Sequence, residues 1–348
     1  DLINQLLTKN FTIIVSCPND KHKDKLDLEK YKYLPIQYKR DSLNIFQNLK
    51  IILFYLIKII NEKPSTLLLF TIKPNIFVSL SALLSFKKIK VYNFITGIGN
   101  LYFETFFKKK IIFFLYRIAF LKSTKVIFQN LDDLNYFVSN NIISKQKTIL
   151  IPGSGIDINK FNFSPIKKIN PSNFNFLSVS RIIKHKGIEE FLNAAQLIKK
   201  EYPNVSFTLV GPIDYEYSAQ ISKITIDKIK STMKHIDFSE NIVELINKCD
   251  CFVLASYREG TSRSLLEAAS IGKPIVTTDV PGCNNIVINN YNGYLCKPMN
   301  GISLYENLKK MINTEFEERN KMSINGRKRI EQIFDLKIIN NKIINIIE

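Results

Sequence analysis

A chain of 348 residues with 45% apolar composition has the material for two domains with separate cores, and its wealth of Ile, Leu and Phe excludes a disordered protein. The formal charge of +18 favours a polyanionic partner: nucleic acid, an anionic membrane surface or phosphorylated substrates. Heavy joint use of Lys, Asn, Ile and Phe without any Trp is also what a biased, A/T-rich coding sequence produces, which weakens that inference. Five cysteines at irregular spacings argue against a disulfide framework and for a reducing, cytoplasmic setting. Cys249 and Cys251 lack the second Cys pair or His cluster of a metal site and read as buried structural thiols. No run reaches the roughly 18 uninterrupted apolar residues of a spanning helix, since Lys58 and Arg117 break the two nearest candidates.

In chain order, Leu2, Ile3, Leu6 and Leu7 give a helical period that leads into a strand over 11–16. Helices are predicted over 42–60, 75–85 and 105–122, and strands over 66–70, 89–95, 125–128 and 148–151, with a short helix before the last. This alternation predicts a mostly parallel sheet covered on both faces. A right-handed crossover needs a strand before the first helix, and none is visible, so the first strand of this domain is expected to be absent from the chain. Residues 153–169 carry Gly153, Gly155 and Pro165 without a clear period and read as a linker between domains at 1–152 and 170–348.

The alternation then restarts. Strands are predicted over 174–180, 205–210, 234–236, 251–255 and 274–278. Helices are predicted over 187–200, 218–230 and 241–248, after Ser262, and in three closing segments, 303–313, 316–333 and 336–347. The fold class is α/β, two Rossmann-like domains facing each other across a cleft.

In such sheets ligands bind beyond the carboxyl ends of the strands. The turn after 174–180 carries Arg181, Lys184 and Lys186 before a helix, an arrangement suited to a diphosphate or, more plainly, a solvated basic loop. Gly211 ends the next strand, where a missing side chain lets a base or phosphate approach, or where the chain simply turns. Glu259 falls in the turn after 251–255, with Gly260, Thr261 and Ser262 opening a helix; Thr261 or Ser262 is the natural N-cap. Glu267 lies two turns in, flanked by Leu265, Leu266, Ala268 and Ala269, where a carboxylate needs hydrogen-bonding partners such as a polyhydroxylated ligand. The turn 278–283 reads as structural, near the cleft floor.

Taken together, these turns resemble the family 4 glycosyltransferases of GT-B fold. The resemblance is strongest over 174–298, where S-R-I-I-K-H-K-G, L-V-G-P, S-Y-R-E-G-T-S-R-S-L-L-E-A, P-I-V-T-T-D-V-P-G-C and N-G-Y-L-C stand in the family's order. Weaker echoes, T-I-K-P-N at 71–75, I-T-G-I-G at 95–99 and I-P-G-S-G-I-D at 151–157, are most similar to the branch that extends lipid-linked surface oligosaccharides in bacteria. The resemblance implies a retaining transfer from a nucleotide-sugar, UDP-linked and with N-acetylhexosamine among the candidate sugars, to a lipid-diphosphate-linked saccharide at the inner face of the cell membrane. It further implies that Arg181 and Lys186 hold the donor diphosphate and that Glu259, with Gly260, Thr261 and Ser262, holds the sugar. Glu267 would bind the ribose and Gly211 would lie near the base. Lys73, Thr96, Gly97 and Gly99 fall on the acceptor side.

Beyond the nucleotide-sugar co-substrate the resemblance implies no cofactor and no metal, in keeping with the absence of any Asp-x-Asp pair. One departure stands out: many relatives carry a His beyond the fourth strand of the first domain, and residues 95–99 contain none, leaving backbone groups at Gly97 and Gly99 in its place. Between 86 and 125, nine cations face one acid, Glu104, with aromatic and aliphatic residues interleaved, as on a surface that meets an anionic bilayer; the plainer alternative is a core helix with solvated Lys at its ends. A nucleotide-sugar epimerase of the same two-domain form is the rival reading. Nucleic-acid binding rests on charge alone, with no aromatic-basic binding motif behind it.

Overall fold

The structure, a computed structural model, describes residues 2–18, 27, 29–37, 44–214 and 221–348. The chain opens with α1 (Leu2–Thr8), β1 (Ile14–Pro18), β2 (Lys32–Ile36) and α2 (Ile45–Glu62). Helix α2 starts where Asn44 caps the amide of Gln47 and stops at Lys63, which turns left-handed. Next come β3 (Thr66–Phe70), a π turn at Pro74–Val78, α3 (Ser79–Leu84) and β4 (Lys90–Ile95). A 3-10 turn at Gly99–Phe103 then leads to α4 (Phe106–Leu121), β5 (Lys125–Phe128), α5 (Leu131–Ser139) and β6 (Thr148–Leu150). Strands β3-β4-β5-β6 form one parallel sheet in that order, and β1 and β2 pair with each other, also in parallel.

Alternation along these strands divides their side chains between two cores. Ile95, Val126 and Phe128 point to the side covered by α2, α3 and α4, where they join Ile51, Phe77, Tyr116 and Phe120. Tyr92, Phe94 and Ile127 point to the opposite side.

After the linker come β7 (Asn175–Val179), α6 (Ile188–Glu201), β8 (Ser206–Val210), α7 (Lys223–Thr232), β9 (Lys234–Ile236) and α8 (Ile242–Lys248). Then follow β10 (Cys251–Leu254), α9 (Arg263–Ile271), β11 (Ile275–Thr278), β12 (Gly293–Cys296), α10 (Gly301–Asn313) and α11 (Phe316–Arg329). The expected helix over 218–230 is α7, its first three expected positions lying outside the described residues. The second sheet is parallel throughout, in the order β12-β11-β10-β7-β8-β9. Chain direction across the sheet therefore reverses between β7 and β10, the switch point at which such sheets open a crevice.

The end of the chain departs from expectation. The helix expected over 316–333 is α11 followed by a π turn at Ile330–Phe334, after which α12 (Leu336–Ile347) leaves the second unit. Ile339, Ile343 and Ile347, one stripe at intervals of four, pack on Tyr92, Phe94, Ile127 and Ile151. The other face of the first sheet already carries α2, α3 and α4, so α12 buries the face they leave. A second domain running from 170 to the C-terminus does not describe this crossing. Strands β2 and β12 were not expected either; both are short, and in both the apolar signal is interrupted by Lys32 and Pro35 or by Gly293.

All five cysteines are free, and four of them are buried. Burial pushes the Cys249, Cys283 and Cys296 thiols up to about 12, as inert packing residues require.

Candidate functional site

Buried strands end abruptly at their carboxyl edge, and the turns that follow carry the polar groups. Lys186, in the turn after β7, forms an ion pair with Glu259, in the turn after β10. These strands flank the switch point, so a cation and a carboxylate from segments 73 residues apart meet where the fold opens. Glu259 also accepts from Ser256 Oγ at 2.6 Å, and its amide donates to the Pro281 carbonyl at 3.0 Å, which makes the turn after β11 the floor beneath it. Arg181 lies half-exposed in the same turn as Lys186 and pairs with Asp214 at 3.1 Å, a residue that follows β8.

Ser262 caps α9 by accepting from the amide of Leu265, the local role predicted for it. Glu267 lies farther along that helix, where its side chain is largely buried and, among the described residues, takes one side-chain hydrogen bond, from Arg263 Nε at 3.1 Å. Burial raises its pKa and outweighs the opposing pull of Arg263 and Lys160, so the carboxylate is held in a place that penalises its charge. Gly211 has φ +147°, and a Cβ there would stand 1.9 Å from the Ser180 carbonyl oxygen. The room freed by its missing side chain is thus taken by backbone of the turn after β7, which locks the two turns together.

From the first sheet, Thr96, Gly97 and Gly99 follow β4, while Lys73 follows β3. Gly260 presses against this edge: a Cβ on it would come within 1.9 Å of the Thr96 carbonyl oxygen, and one on Gly97 within 2.7 Å of the Gly260 backbone. Only glycine at both positions lets the loops touch. Asn130 Nδ2 donates to the Gly260 carbonyl at 2.8 Å, and Thr261 Oγ1 lies 3.4 Å from the Gln129 carbonyl. Lys186, Glu259, Gly260, Thr261, Thr96 and Gly97 therefore belong to one junction between the carboxyl edges of the two sheets, and Arg181 shares the turn of Lys186. Gly99 and Lys73 share the first sheet's edge; Lys73 is buried, with its Nζ 3.4 Å from Asn48 Oδ1.

Several residues at this junction escaped the sequence reading. Arg258, immediately before Glu259, forms an ion pair with Asp133, and both side chains are almost wholly buried. Asp133 Oδ2 also accepts from the Ile98 amide at 3.3 Å and from Asn130 Nδ2 at 3.1 Å. One buried carboxylate thus ties the loop after β4 to the loop that carries Glu259. The Arg258 guanidinium sits 4.4 Å from the Tyr102 ring centroid, and Phe103 stacks on His185 at 4.5 Å with an interplanar angle of 20°. Burial, then the charge of Lys184, holds the His185 pKa down. Tyr257 donates to Glu190 at 2.8 Å. The one signal in the sequence was Asn130-Leu131-Asp132-Asp133, which reads as an ordinary capped helix start and is one, since Asn130 Oδ1 accepts from the Asp133 amide. Among the described residues, no group of three or more His, Cys, Asp or Glu side chains is gathered so as to hold a metal ion.

Comparison with known proteins identifies the family of the chain. The family model of Glycosyl transferases group 1 matches residues 159–329, and that of Glycosyl transferase 4-like proteins matches residues 1–130. The chain is 31% identical over 334 residues to the N,N'-diacetylbacillosaminyl-diphospho-undecaprenol alpha-1,3-N-acetylgalactosaminyltransferase of Campylobacter jejuni, covering 90% of this chain and 85% of that one. The chain belongs to the group 1 glycosyltransferases. It is also 27% identical to the capsular polysaccharide biosynthesis glycosyltransferase CapM of Staphylococcus aureus, over 97% of this chain and 90% of the relative. Among solved structures, HepE of Anabaena in complex with UDP and glucose superposes with a TM-score of 0.74 at 20% identity, covering 96% of this chain and 91% of that one. The glycosyltransferase has the GT-B fold, and these relatives favour transfer over epimerisation.

Proposed function

We propose that this glycosyltransferase moves a sugar from a UDP-linked donor, with retention at the anomeric carbon, to a lipid-diphosphate-linked saccharide in the making of a bacterial surface polysaccharide. The observation that carries the reading is the meeting of Lys186 and Glu259 at the switch point, with Arg181 in the same turn and the Thr96–Gly97 loop pressed against Gly260. The diphospho-undecaprenol acceptor of the Campylobacter relative and the UDP held by HepE point the same way.

In this reading Arg181 and Lys186 turn from Asp214 and Glu259 to the donor diphosphate. Neutralising that group stabilises the charge that develops as the bond from the anomeric carbon to the phosphate oxygen breaks. The acceptor hydroxyl bonds to the same carbon from the same face, and its proton passes to the departing phosphate oxygen, so no protein nucleophile is required. Glu259, released from Lys186, accepts from the sugar hydroxyls beside the amides of Gly260, Thr261 and Ser262. Glu267, whose burial disfavours its charge, gains the ribose hydroxyls as donors. Gly211 lies near the base, and Lys73, Thr96, Gly97 and Gly99 line the acceptor side.

A lipid-borne acceptor places the enzyme as a peripheral protein on the inner face of the cell membrane. Among the described residues no helix is long and apolar enough to cross one. Helix α4 bears on both alternatives for the 86–125 segment. Its later half buries Tyr116, Ala119 and Phe120, while Phe106, Phe107, Ile111 and Phe114 stay exposed around Lys108, Lys109 and Lys110. Incubation with labelled UDP-sugars and undecaprenyl-diphosphate-linked saccharides tests the proposal. It expects label in the lipid product; conversion of the UDP-sugar without acceptor would replace it with the epimerase reading.

A further inference from the structure

Helix α2 is apolar on both faces. Its inner face buries Ile51 and Ile59 and carries Tyr55, whose hydroxyl lies 2.9 Å from Ser16 Oγ. The outer face of an ordinary surface helix is polar. Here Phe46, Leu49, Leu53, Ile57 and Ile60, at intervals of three and four, are between 45% and 78% exposed. They form one stripe about 21 Å long, at about 1.5 Å per residue. A contiguous apolar patch of this kind marks a surface with a partner.

The rim of the stripe selects that partner. Lys50 is exposed beside it, Lys58 lies 5.7 Å from the Phe54 ring centroid, and Lys63 ends the helix. The single acid of α2, Glu62, is occupied by Lys32 at 2.7 Å. Helix α3 packs against α2 and α4 against α3, which extends the surface through Leu84 and Phe86, the latter 92% exposed, to the apolar and basic start of α4. A second copy of the chain would set lysines against lysines in a protein of net charge +18. An anionic bilayer meets both features at once, because it has negative headgroups for the lysines and acyl depth for the stripe.

We infer that the outer face of α2 enters an anionic lipid bilayer, lying along its surface, and so sets the side from which the first unit meets its acceptor. The choice of a bilayer rests on the lipid-borne acceptor proposed above, whereas the anomaly belongs to the helix alone.

The chain has no Trp, so a Leu53→Trp variant carries a single reporter. With vesicles containing phosphatidylglycerol its emission shifts to the blue and is quenched by brominated acyl chains, and with pure phosphatidylcholine both effects weaken. Emission that does not change with phosphatidylglycerol vesicles overturns the inference. In parallel, the Leu49→Gln, Leu53→Gln, Ile57→Gln triple variant partitions about a hundredfold more weakly in flotation, because three apolar side chains no longer enter the lipid. Wild-type partitioning by the triple variant overturns the inference, as does a wild-type dimer in light scattering that the triple variant abolishes while vesicles go unbound. If the triple variant does not fold, the Leu53→Trp spectra decide. Vesicle contact without sugar transfer to any lipid-linked saccharide would remove the proposed function and leave this contact standing. Transfer without vesicle contact would do the reverse.

Discussion

The two sheets of this glycosyltransferase face each other with the same kind of edge but use it differently. The second sheet brings charged side chains to its carboxyl edge: Arg181 and Lys186 after β7, Glu259 after β10. The first brings backbone, the Thr96 carbonyl and Gly97, together with one buried carboxylate, Asp133, and its helices α2 and α4 carry further apolar residues on an outward face. In the proposed reading the donor side is thus a constellation of side chains at a switch point. The proposed acceptor side is a shape, held in place by contacts with the donor side.

The largest expected effect tests the side-chain half. Lys186→Ala lowers turnover by about a thousandfold, roughly 4 kcal/mol of transition-state stabilisation, with the thermal midpoint nearly unchanged. Steady-state rates with a fixed lipid acceptor measure it, and near-wild-type turnover would end the assignment of Lys186 to the diphosphate. Next in size is the link between the halves. Asp133→Ala leaves the Arg258 guanidinium charged, buried and unpaired, and breaking a pair of this kind costs about 3 kcal/mol or more. Denaturant unfolding reads that loss. A loss below about 1 kcal/mol would mean that the junction opens freely in solution and that the halves are not held together there.

This contrast also explains what was legible in the sequence. The apolar runs of β7, β8, β10 and β11 and the turns after them are local, so spacing alone placed Glu259 in a turn and Ser262 at a helix start. The Asp133–Arg258 pair joins residues 125 apart, and neither residue carries a pattern that names its partner. The stacking of Phe103 on His185 is silent for the same reason. Helix α12 was placed correctly as a helix and wrongly as a neighbour, because its stripe of Ile339, Ile343 and Ile347 says that a face must be buried without saying on which sheet. Gly211 was read as room for a ligand, and the room is filled by Ser180.

The backbone half of the comparison is tested by a single methyl. Gly260→Ala puts a Cβ 1.9 Å from the Thr96 carbonyl, so the loops must separate. The variant is expected to lose about 1–3 kcal/mol of stability, and the change in the site should fall on the acceptor KM as well as on turnover. A structural cost alone would lower the midpoint without moving the KM. An unchanged midpoint would show that the two edges stand farther apart in solution.

The smallest effect runs in the opposite direction and separates function from stability at one residue. Burial raises the Glu267 pKa even with Arg263 beside it, so the charged form is less welcome in the folded protein than in the unfolded chain. Above the ordinary carboxylate value of 4.5, the unfolded chain has released a proton that the fold still retains, so stability falls as pH rises through that window and stays lowered at neutral pH. Glu267→Gln removes the charge and keeps the shape. Its expected result at pH 7 is a gain of up to about 1 kcal/mol, some 1–2 °C in midpoint, together with weaker UDP-sugar binding, because the amide no longer offers two charged acceptors to the ribose. The surface-exposed Arg263 loses a partner worth at most about 1 kcal/mol, which sets the lower bound of the gain near zero. A clear loss of stability would mean that Glu267 is already satisfied without a donor and that its placement serves the helix. A gain accompanied by weaker donor binding would mark it as a carboxylate kept in an unfavourable place for a ligand's hydroxyls.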